Sequence, residues 1–308
     1  MPRPLISICV PTLNRADVIP KMLDSILLNP SYSPEKIEIV ISDNDSTDNT
    51  EETIQYYLDN YQNIVYYRNP SNIGMMGNFK KVLELGNGEF LKYNNDYSIF
   101  TDHGLKDLID SVEKHLTEKP VLYFDNNQKH PLTTKNYKSI DTLVEDQNAY
   151  MSWLGCYGYW REDFNNLDDK ERMFHTLFCQ VDWFLRMFHL KKKCAVCSTD
   201  FTYRESFEKK QGGYNFIKIQ VGGYSEIFKP YVETGELRKS TYDKMMRRLY
   251  NVMFYWVVKF YKTKDQRYDY DTKGSISYLF NFYKGYYWCY TDPVKFIFKT
   301  VINKIRKK

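Results

Sequence analysis

Three polar clusters in the chain carry side chains able to grip a charged ligand. Ser42-Asp43-Asn44-Asp45-Ser46-Thr47-Asp48 follows the apolar run Ile37, Ile39, Val40 and Ile41. Pro11-Thr12-Leu13-Asn14-Arg15 follows a β-rich run that begins at Leu5, and Asn94-Asn95-Asp96 follows Glu89 to Tyr93. Each cluster sits where a short apolar segment stops, and open α/β sheets bind ligands at the carboxyl ends of their strands. Asp43 can only accept hydrogen bonds, whereas Asn44 can accept or donate them. A further carboxylate, Asp182, falls within an apolar helical stretch, where burial without a partner would be costly. Arg186, four residues on, would offset that cost.

The elements that must position these residues read as β–α repeats. Val18, Ile19, Met22, Leu23, Ile26 and Leu27 have helical spacing, and the Asn29-Pro30 pair ends that helix. A strand over Ile37–Ile41 follows, then a helix carrying Ile54, Tyr57 and Leu58, with Ser46 or Thr47 expected as its cap. Asn63–Arg68 reads as a third strand, opening onto the polar loop Asn69 to Asn78, with a helix from Phe79 to Leu85. Glu89–Tyr93 and Val121–Phe124 read as the fourth and fifth strands, separated by a helix through Leu105, Leu108, Ile109 and Val112. The alternation predicts an α/β protein with an open, mostly parallel, doubly wound sheet.

Beyond the sheet the pattern changes. Residues 125–150 are polar and without period, and read as loops. Met151 to Phe164 gathers Trp153, Tyr157, Tyr159 and Trp160, either as packing or as a platform for the apolar faces of sugars. Helices are expected over Phe174–Leu190 and Ser240–Tyr261, the second with Met245, Met246, Leu249, Val252, Met253, Trp256 and Phe260 along one stripe. The expected organisation is residues 1–125 as a ligand-binding half, 126–235 completing the domain, and 236–308 as a helical, aromatic-rich extension.

Composition narrows the class. Hydrophobic content of 43% and charged content of 27% suit a globular core. No run approaches the roughly 18–20 unbroken apolar residues of a membrane span, and the first residues lack the apolar core of a signal peptide. An intracellular protein is expected. Six cysteines do not make a disulfide framework in a chain of this size, and Cys194 and Cys197 lack the second pair that a zinc site needs. A net charge of +4 is too small to imply a nucleic-acid partner. The segment 294–308 carries six basic residues and no acid, with Val294, Ile297, Phe298, Val301, Ile302 and Ile305 on one helical face. Such a helix lies on an anionic membrane surface or docks on its own domain.

Four clusters in order carry a family resemblance: Pro11-Thr-Leu-Asn-Arg15, Ser42-Asp-Asn-Asp-Ser-Thr-Asp48, Asn72-x-Gly74 with Asn78, and the loop bearing Asp96. Residues 5–112 resemble family 2 glycosyltransferases, inverting nucleotide-sugar-dependent enzymes with a GT-A fold. The second cluster and the Asn-Ile-Gly that follows are similar to the branch containing abequosyltransferase-like enzymes of bacterial surface polysaccharides.

The resemblance implies roles. Pro11, Thr12 and Leu13 would supply backbone groups to the nucleobase and ribose, and Asn14, Arg15, Asp43, Asn44, Asn72, Gly74, Asn78 and Asn95 would contact the rest of a nucleotide-sugar donor, with Asp43 or Asn44 able to accept from the base; a UDP-sugar is the first choice. Asp96 would hold Mn²⁺ or Mg²⁺ against the diphosphate. Members usually carry two acids there, whereas this chain has Asn94-Asn95-Asp96. Mg²⁺ is often bound by one or two carboxylates plus phosphate oxygens and water, so one does not disqualify the site but implies a weaker one than usual, with Arg15, Arg68, Lys80 and Lys81 available to share the charge. Asp182, within Gln180-Val-Asp182, would be the base that deprotonates an acceptor hydroxyl; His175 is a lesser candidate. The implied acceptor is a bacterial surface glycan, lipid-linked if the tail meets a membrane, which places the protein in the cytoplasm or on the inner membrane face. The competing expectation is a non-catalytic glycan-binding or scaffold subunit with a degraded metal site. A nucleotidyltransferase is disfavoured, because Pro11-Thr-Leu-Asn-Arg15 is not a Gly-rich loop.

Overall fold

The computed structural model describes residues 3–126, 129–147, 151–205, 211–212, 214–263 and 268–293. The chain divides into two compact units, one of residues 1–140, 151–174 and 178–208, the other of 141–150, 175–177 and 209–308. The expected cuts after 125 and 235 each fall inside one unit.

The first unit is built on β1 (Ile6–Thr12), β2 (Ile37–Asp43), β3 (Ile64–Arg68) and β4 (Phe90–Tyr93). Together with β8 (Gly158–Trp160) they form a sheet of order β3-β2-β1-β4-β8, in which only the β4–β8 pairing is antiparallel. Every residue of β1, β2 and β4 is buried, as expected for strands covered on both faces. Helices α1 (Ile19–Leu27), α2 (Thr50–Leu58) and α3 (Gly74–Leu85) connect consecutive strands. The apolar stripe of α1 is Ile19, Met22, Leu23, Ile26 and Leu27, all buried in the same core cluster as Ile6, Ile8 and Val10.

Two helix starts differ from the sequence expectation. Helix α2 begins at Thr50 rather than near Asp45, with no side-chain cap at Asn49, because Ser46 and Thr47 bond elsewhere. Helix α3 begins at Gly74, five residues before Phe79. Gly74 has φ +78°, a conformation that suits glycine, so Asn72-x-Gly74 is a helix entry rather than mid-loop.

The fifth strand also departs from the expectation. After β5 (Ser98–Phe100) and α4 (Gly104–Lys114), strand β6 (Val121–Asp125) leaves the main sheet. It joins β9 (Cys194–Ser198) in parallel, and β9 pairs antiparallel with β7 (Thr133–Tyr137). Thus 125–150 is not only loop, since it contains β7 and α5 (Ile140–Gln147). Most aromatics of 151–164 are packing: Tyr157, Tyr159 and Trp160 are buried, and the Trp160 indole N–H donates to the Pro120 carbonyl at 2.7 Å, while Trp153 is half-buried. Cys194 and Cys197 are free and buried in β9, and burial pushes both thiols up. After β8 come α6 (Arg161–Asn166) and α7 (Cys179–Lys191), and the short strand β10 (Thr202–Arg204) pairs with β5.

The second unit is mainly helical. A brief pair of strands, β11 (Gln211–Gly212) and β12 (Tyr268–Asp269), accompanies α8 (Phe216–Lys218), α9 (Tyr224–Glu233), α10 (Lys239–Thr263) and α11 (Ser275–Tyr283). Along α10, Met245, Met246, Leu249 and Met253 are buried as expected, with Val252 and Trp256 half-buried. Tyr250, Tyr283 and Trp288 form a ring cluster with centroids 5.1–5.4 Å apart. No helix among the described residues is long and apolar enough to cross a membrane. The basic tail 294–308 and the side chain of Phe260 lie outside the described residues.

Candidate active site

The loops that leave the carboxyl ends of β1 to β4 are stitched together from the backbone outwards. Sheet-like bonds continue one residue past the strands: Asn44 N–H donates to the Thr12 carbonyl (2.9 Å), Asn69 to Asp43 (2.8 Å) and Asn94 to Cys9 (2.9 Å). The first two loops then interlock. The Asn14 amide N–H donates to the Ser46 hydroxyl at 2.8 Å, and the Asn14 side-chain oxygen accepts from Thr47 N–H at 2.6 Å. Asn14 and Asp45 both adopt left-handed backbone, with φ 54° and 68°, a region that Asn and Asp tolerate better than other non-glycine residues.

Several residues expected to face a donor are instead engaged within the protein. The Asp43 carboxylate is fully buried; one oxygen accepts from the Ser46 amide and hydroxyl (2.9 and 2.6 Å), the other from the Tyr66 hydroxyl at 2.9 Å. Burial and that carboxylate push the Tyr66 phenol up. Asn44 holds the next loop, accepting from Ile73 N–H (3.0 Å) and donating to Asn72 (2.9 Å), whose oxygen also accepts from Gly74 N–H. Buried Asn78 accepts from Ser42 Oγ (2.7 Å) and Asn69 Nδ2 (2.9 Å) and donates to the carbonyls of Ser42 (2.9 Å) and Thr12 (3.4 Å). Its amide therefore ties three strand ends together and shapes the rim rather than offering atoms to a ligand. Asn78→Ala strands several buried partners, each worth about 1–3 kcal/mol. Thermal melts should show a drop of several degrees in Tm; an unchanged Tm would remove Asn78 from this role.

Asp96 is where the rim keeps a carboxylate. One of its oxygens accepts from Thr12 Oγ1 at 3.0 Å and lies 3.7 Å from Arg15 Nε. Burial raises its pKa to about 6, against the opposing pull of Arg15 and Thr12. Asn94 is used in the turn, donating to the carbonyls of Asn95 and Ser98. The side-chain N–H₂ of Asn95 is buried without a hydrogen-bond partner, which suits a group that meets a ligand oxygen. Of the four basic residues expected to share charge, Arg15 stands beside Asp96. Arg68 is paired with Asp45 (3.0 Å) and Glu51 (2.5 Å), Lys80 with Glu171 (2.6 Å), and Lys81 lies over the Tyr67 ring.

This bonded network joins Thr12, Asn14, Arg15, Asp43, Asn44, Asn72, Gly74, Asn78 and Asp96. Asp182 lies outside it. It sits buried in the first turn of α7, and both its oxygens are held by Arg172, through Nε at 3.1 and 3.2 Å and Nη2 at 2.5 Å. The expected partner Arg186 is more distant, at 3.7 Å. The same turn is anchored where Cys179 Sγ meets Met76 of α3 (3.4 Å) and where Gln180 donates to the Ser152 carbonyl (3.2 Å). His175 belongs to the second unit and pairs there with Glu226 at 3.0 Å.

Two side chains in this region were not singled out from the sequence. Arg172 precedes Asp182 by ten residues in an irregular segment, where no periodicity marks it. Lys92 did carry a signal, as a charge inside the apolar strand β4. It is buried, its pKa is lowered to about 8 by burial, and its ammonium donates to the carbonyls of Tyr93 and Gly155, both at 2.6 Å. An added Cβ at Gly155 would lie 3.2 Å from the Asn95 amide nitrogen, so Lys92 fixes the turn that backs Asn95.

A model of the family described as Glycosyl transferase family 2 matches residues 7–189. Abequosyltransferase RfbV of Salmonella typhimurium is 34% identical over 166 residues, spanning 53% of this chain and 45% of that protein. An uncharacterized glycosyltransferase of Mycoplasma pneumoniae, the MG025 homolog, is 38% identical over 88 residues, 28% of this chain and 29% of its own. The chain thus spans less than half the length of these curated relatives. Among solved structures, S. aureus TarS in complex with UDP-GlcNAc superposes with TM-score 0.58 at 16% identity, over 85% of this chain and 77% of that one. The mannosyltransferase PcManGT from Pyrobaculum calidifontis, in complex with GDP-Man and Mn²⁺, gives 0.56 at 16% identity, over 80% and 70%. The shared fold is the expected GT-A type, a mostly parallel sheet with a helical, aromatic-rich C-terminal region.

Proposed function

The chain belongs to glycosyl transferase family 2, and we propose that it moves a sugar, with inversion, from a nucleotide-sugar donor to a hydroxyl of a bacterial surface glycan. The observation that carries this reading is the continuous hydrogen-bonded rim that ends on Thr12 and Asp96. Such a rim presents loop backbone and amides to a nucleoside and one carboxylate to a diphosphate. The nucleotide-sugar complexes of TarS and PcManGT support a donor of this class; a UDP-sugar remains the first choice.

A divalent ion fits the residues present. Asp96, with the neighbouring Thr12 hydroxyl, would hold Mn²⁺ or Mg²⁺ through one carboxylate and donor oxygens, while the unpartnered Asn95 N–H₂ would donate to a ligand oxygen. A bound ion supplies Lewis-acid stabilisation to the leaving diphosphate. Arg15 adds a fixed positive charge on the same side. Asp182 takes the proton from the acceptor hydroxyl, which requires that Arg172, whose side chain is 35% exposed, turn away from it. A panel of nucleotide sugars assayed for donor hydrolysis and transfer, with and without Mn²⁺, tests the reading. Turnover of one donor supports it, and no turnover with any of them sinks it.

A second reading, a non-catalytic glycan-binding subunit, is favoured by the single carboxylate of the rim and by the bidentate grip of Arg172 on Asp182. It requires glycan affinity without turnover in the same panel.

A lipid-linked acceptor is proposed from the basic amphipathic pattern of 294–308. Co-sedimentation with anionic vesicles should fall at least tenfold on deleting that segment. Equal sedimentation of the truncated chain would leave the segment without a membrane role.

A further inference from the structure

Away from the rim, four ligating side chains of the first unit converge. His103 precedes α4, Asp107 lies in its first turn, His130 leads towards β7, and Asp200 follows β9. His103 Nδ1 lies 3.0 Å and His130 Nδ1 3.2 Å from the same oxygen, Asp107 Oδ2. The Asp107 side chain is nearly buried, the two imidazoles are partly open to solvent, and their centroids are 4.3 Å apart. Asp200 stands behind: its Oδ1 lies 3.3 Å from His103 Nε2 and accepts the backbone N–H of His130 at 2.8 Å.

The Nδ1 atoms of both rings face one carboxylate oxygen, and which nitrogen carries the proton is a matter of tautomer. In the tautomer with the proton on Nε2, each ring turns a lone pair towards the point that the Asp107 oxygen also faces. A divalent ion at that point would satisfy all three atoms at once.

We propose that His103, His130 and Asp107 form a binding site for a divalent transition ion of the zinc class, with Asp200 as the carboxylate that orients His103. The potential ligand atoms all lie within 4.8 Å of one another, the mixed nitrogen and carboxylate set suits zinc, and solvent completes a tetrahedral shell. A carboxylate on the far nitrogen of a metal-bound histidine is the usual second-layer arrangement. The site clamps three segments that are already pressed together. Thr101 N–H donates to the Phe201 carbonyl at 3.0 Å, and a Cβ at Gly104 would stand 1.9 Å from that carbonyl oxygen, so only glycine permits the approach. Because β5 follows Asp96 directly and leads to His103, the clamp steadies the return of the Asp96 loop. Its role is structural.

The test uses the full chain, stripped with a chelator and offered Zn²⁺ or Co²⁺ alone, without nucleotide. One equivalent of Zn²⁺ should survive desalting, raise the Tm, and give way to Co²⁺ with the absorption bands of a four-coordinate ion. His130→Gln, at a half-exposed position that the fold tolerates, should weaken Zn²⁺ binding about 100-fold, as should Asp107→Asn, while Asp96→Asn should leave it unchanged. The proposal is overturned if the wild-type chain retains no stoichiometric Zn²⁺, if His130→Gln binds as tightly as wild type, or if Asp96→Asn abolishes binding.

Discussion

Replacing Asp182 with Asn is expected to lower kcat by about 10²–10⁴-fold, the range that a positioned general base contributes, with donor affinity changed by no more than about threefold. Asp182 lies outside the bonded rim proposed to meet the donor, so its loss should not reach nucleotide binding. Its environment also offers a rival account, because Arg172 holds both carboxylate oxygens and Arg186 stands at 3.7 Å. Were this a purely structural ion pair, removing either partner would cost about 3–5 kcal/mol of stability, and activity would fall only with the folded fraction. Asp182→Asn and Arg172→Gln, measured side by side, separate the two. The base assignment predicts that Arg172→Gln retains kcat within about tenfold while Asp182→Asn does not, at equal folded fractions by thermal melt. Parallel losses of Tm and activity in both would end the base assignment.

Asp96→Asn should have the second-largest effect, through both the ion and the pH profile. In the ligand-free protein the Asp96 carboxyl is pushed up to about 6, chiefly by burial. Its folded pKa is therefore above the ordinary value of 3.8, so the folded chain holds this proton more tightly than the unfolded one. The protonated group adds stability that is fully present below about 4 and is lost as pH rises through about 6. Two pH units correspond to a contribution on the order of 3 kcal/mol at most. The same proton competes with a divalent ion, so Mn²⁺-dependent donor binding should weaken about tenfold per pH unit below about 6. Asn cannot supply a charged ligand. Metal-dependent donor affinity should fall by at least about 100-fold, beyond the loss typical of outer partners, and the dependence near pH 6 should vanish. The ligand-free variant should melt higher than wild type at pH 8 and not at pH 4. Calorimetric titration of donor across this range checks all three, and a wild-type profile flat through pH 6 would contradict the assignment.

Much of the first unit was legible because its signals are local. Strands β1 to β4 are apolar runs that stop at polar turns, and α1 shows its buried stripe outright. The rim residues were found at the right strand ends for the same reason. What failed was information held in pairing partners. Val121–Asp125 reads as a strand, but nothing in it says that its neighbour is Cys194–Ser198 rather than the main sheet. Strand β7 was read as loop because it is an edge strand in which Tyr137 alone is fully buried, so it shows no apolar alternation. Ser46 and Thr47 looked like caps, since their chemistry allows it, yet a local bond to Asp43 and tertiary bonds to Asn14 claim them first. The inward engagement of Asp43 and Asn78 was equally hidden, because a polar residue beside a strand end has the same appearance whether it serves a ligand or a neighbouring strand. Lys92 shows the opposite case, a signal present in the sequence as a charge within an apolar strand.

The convergence of the four strand-end loops on one donor site is tested most directly by an anomalous difference map from a crystal grown with UDP and Mn²⁺. The predicted result is a manganese peak at the Asp96 carboxylate, with the uridine over the interlocked loops of Asn14 and Thr47 and the Asn95 amide facing a ligand oxygen. Nucleotide bound elsewhere, or manganese confined to the His103 and His130 cluster with no density at Asp96, would contradict it.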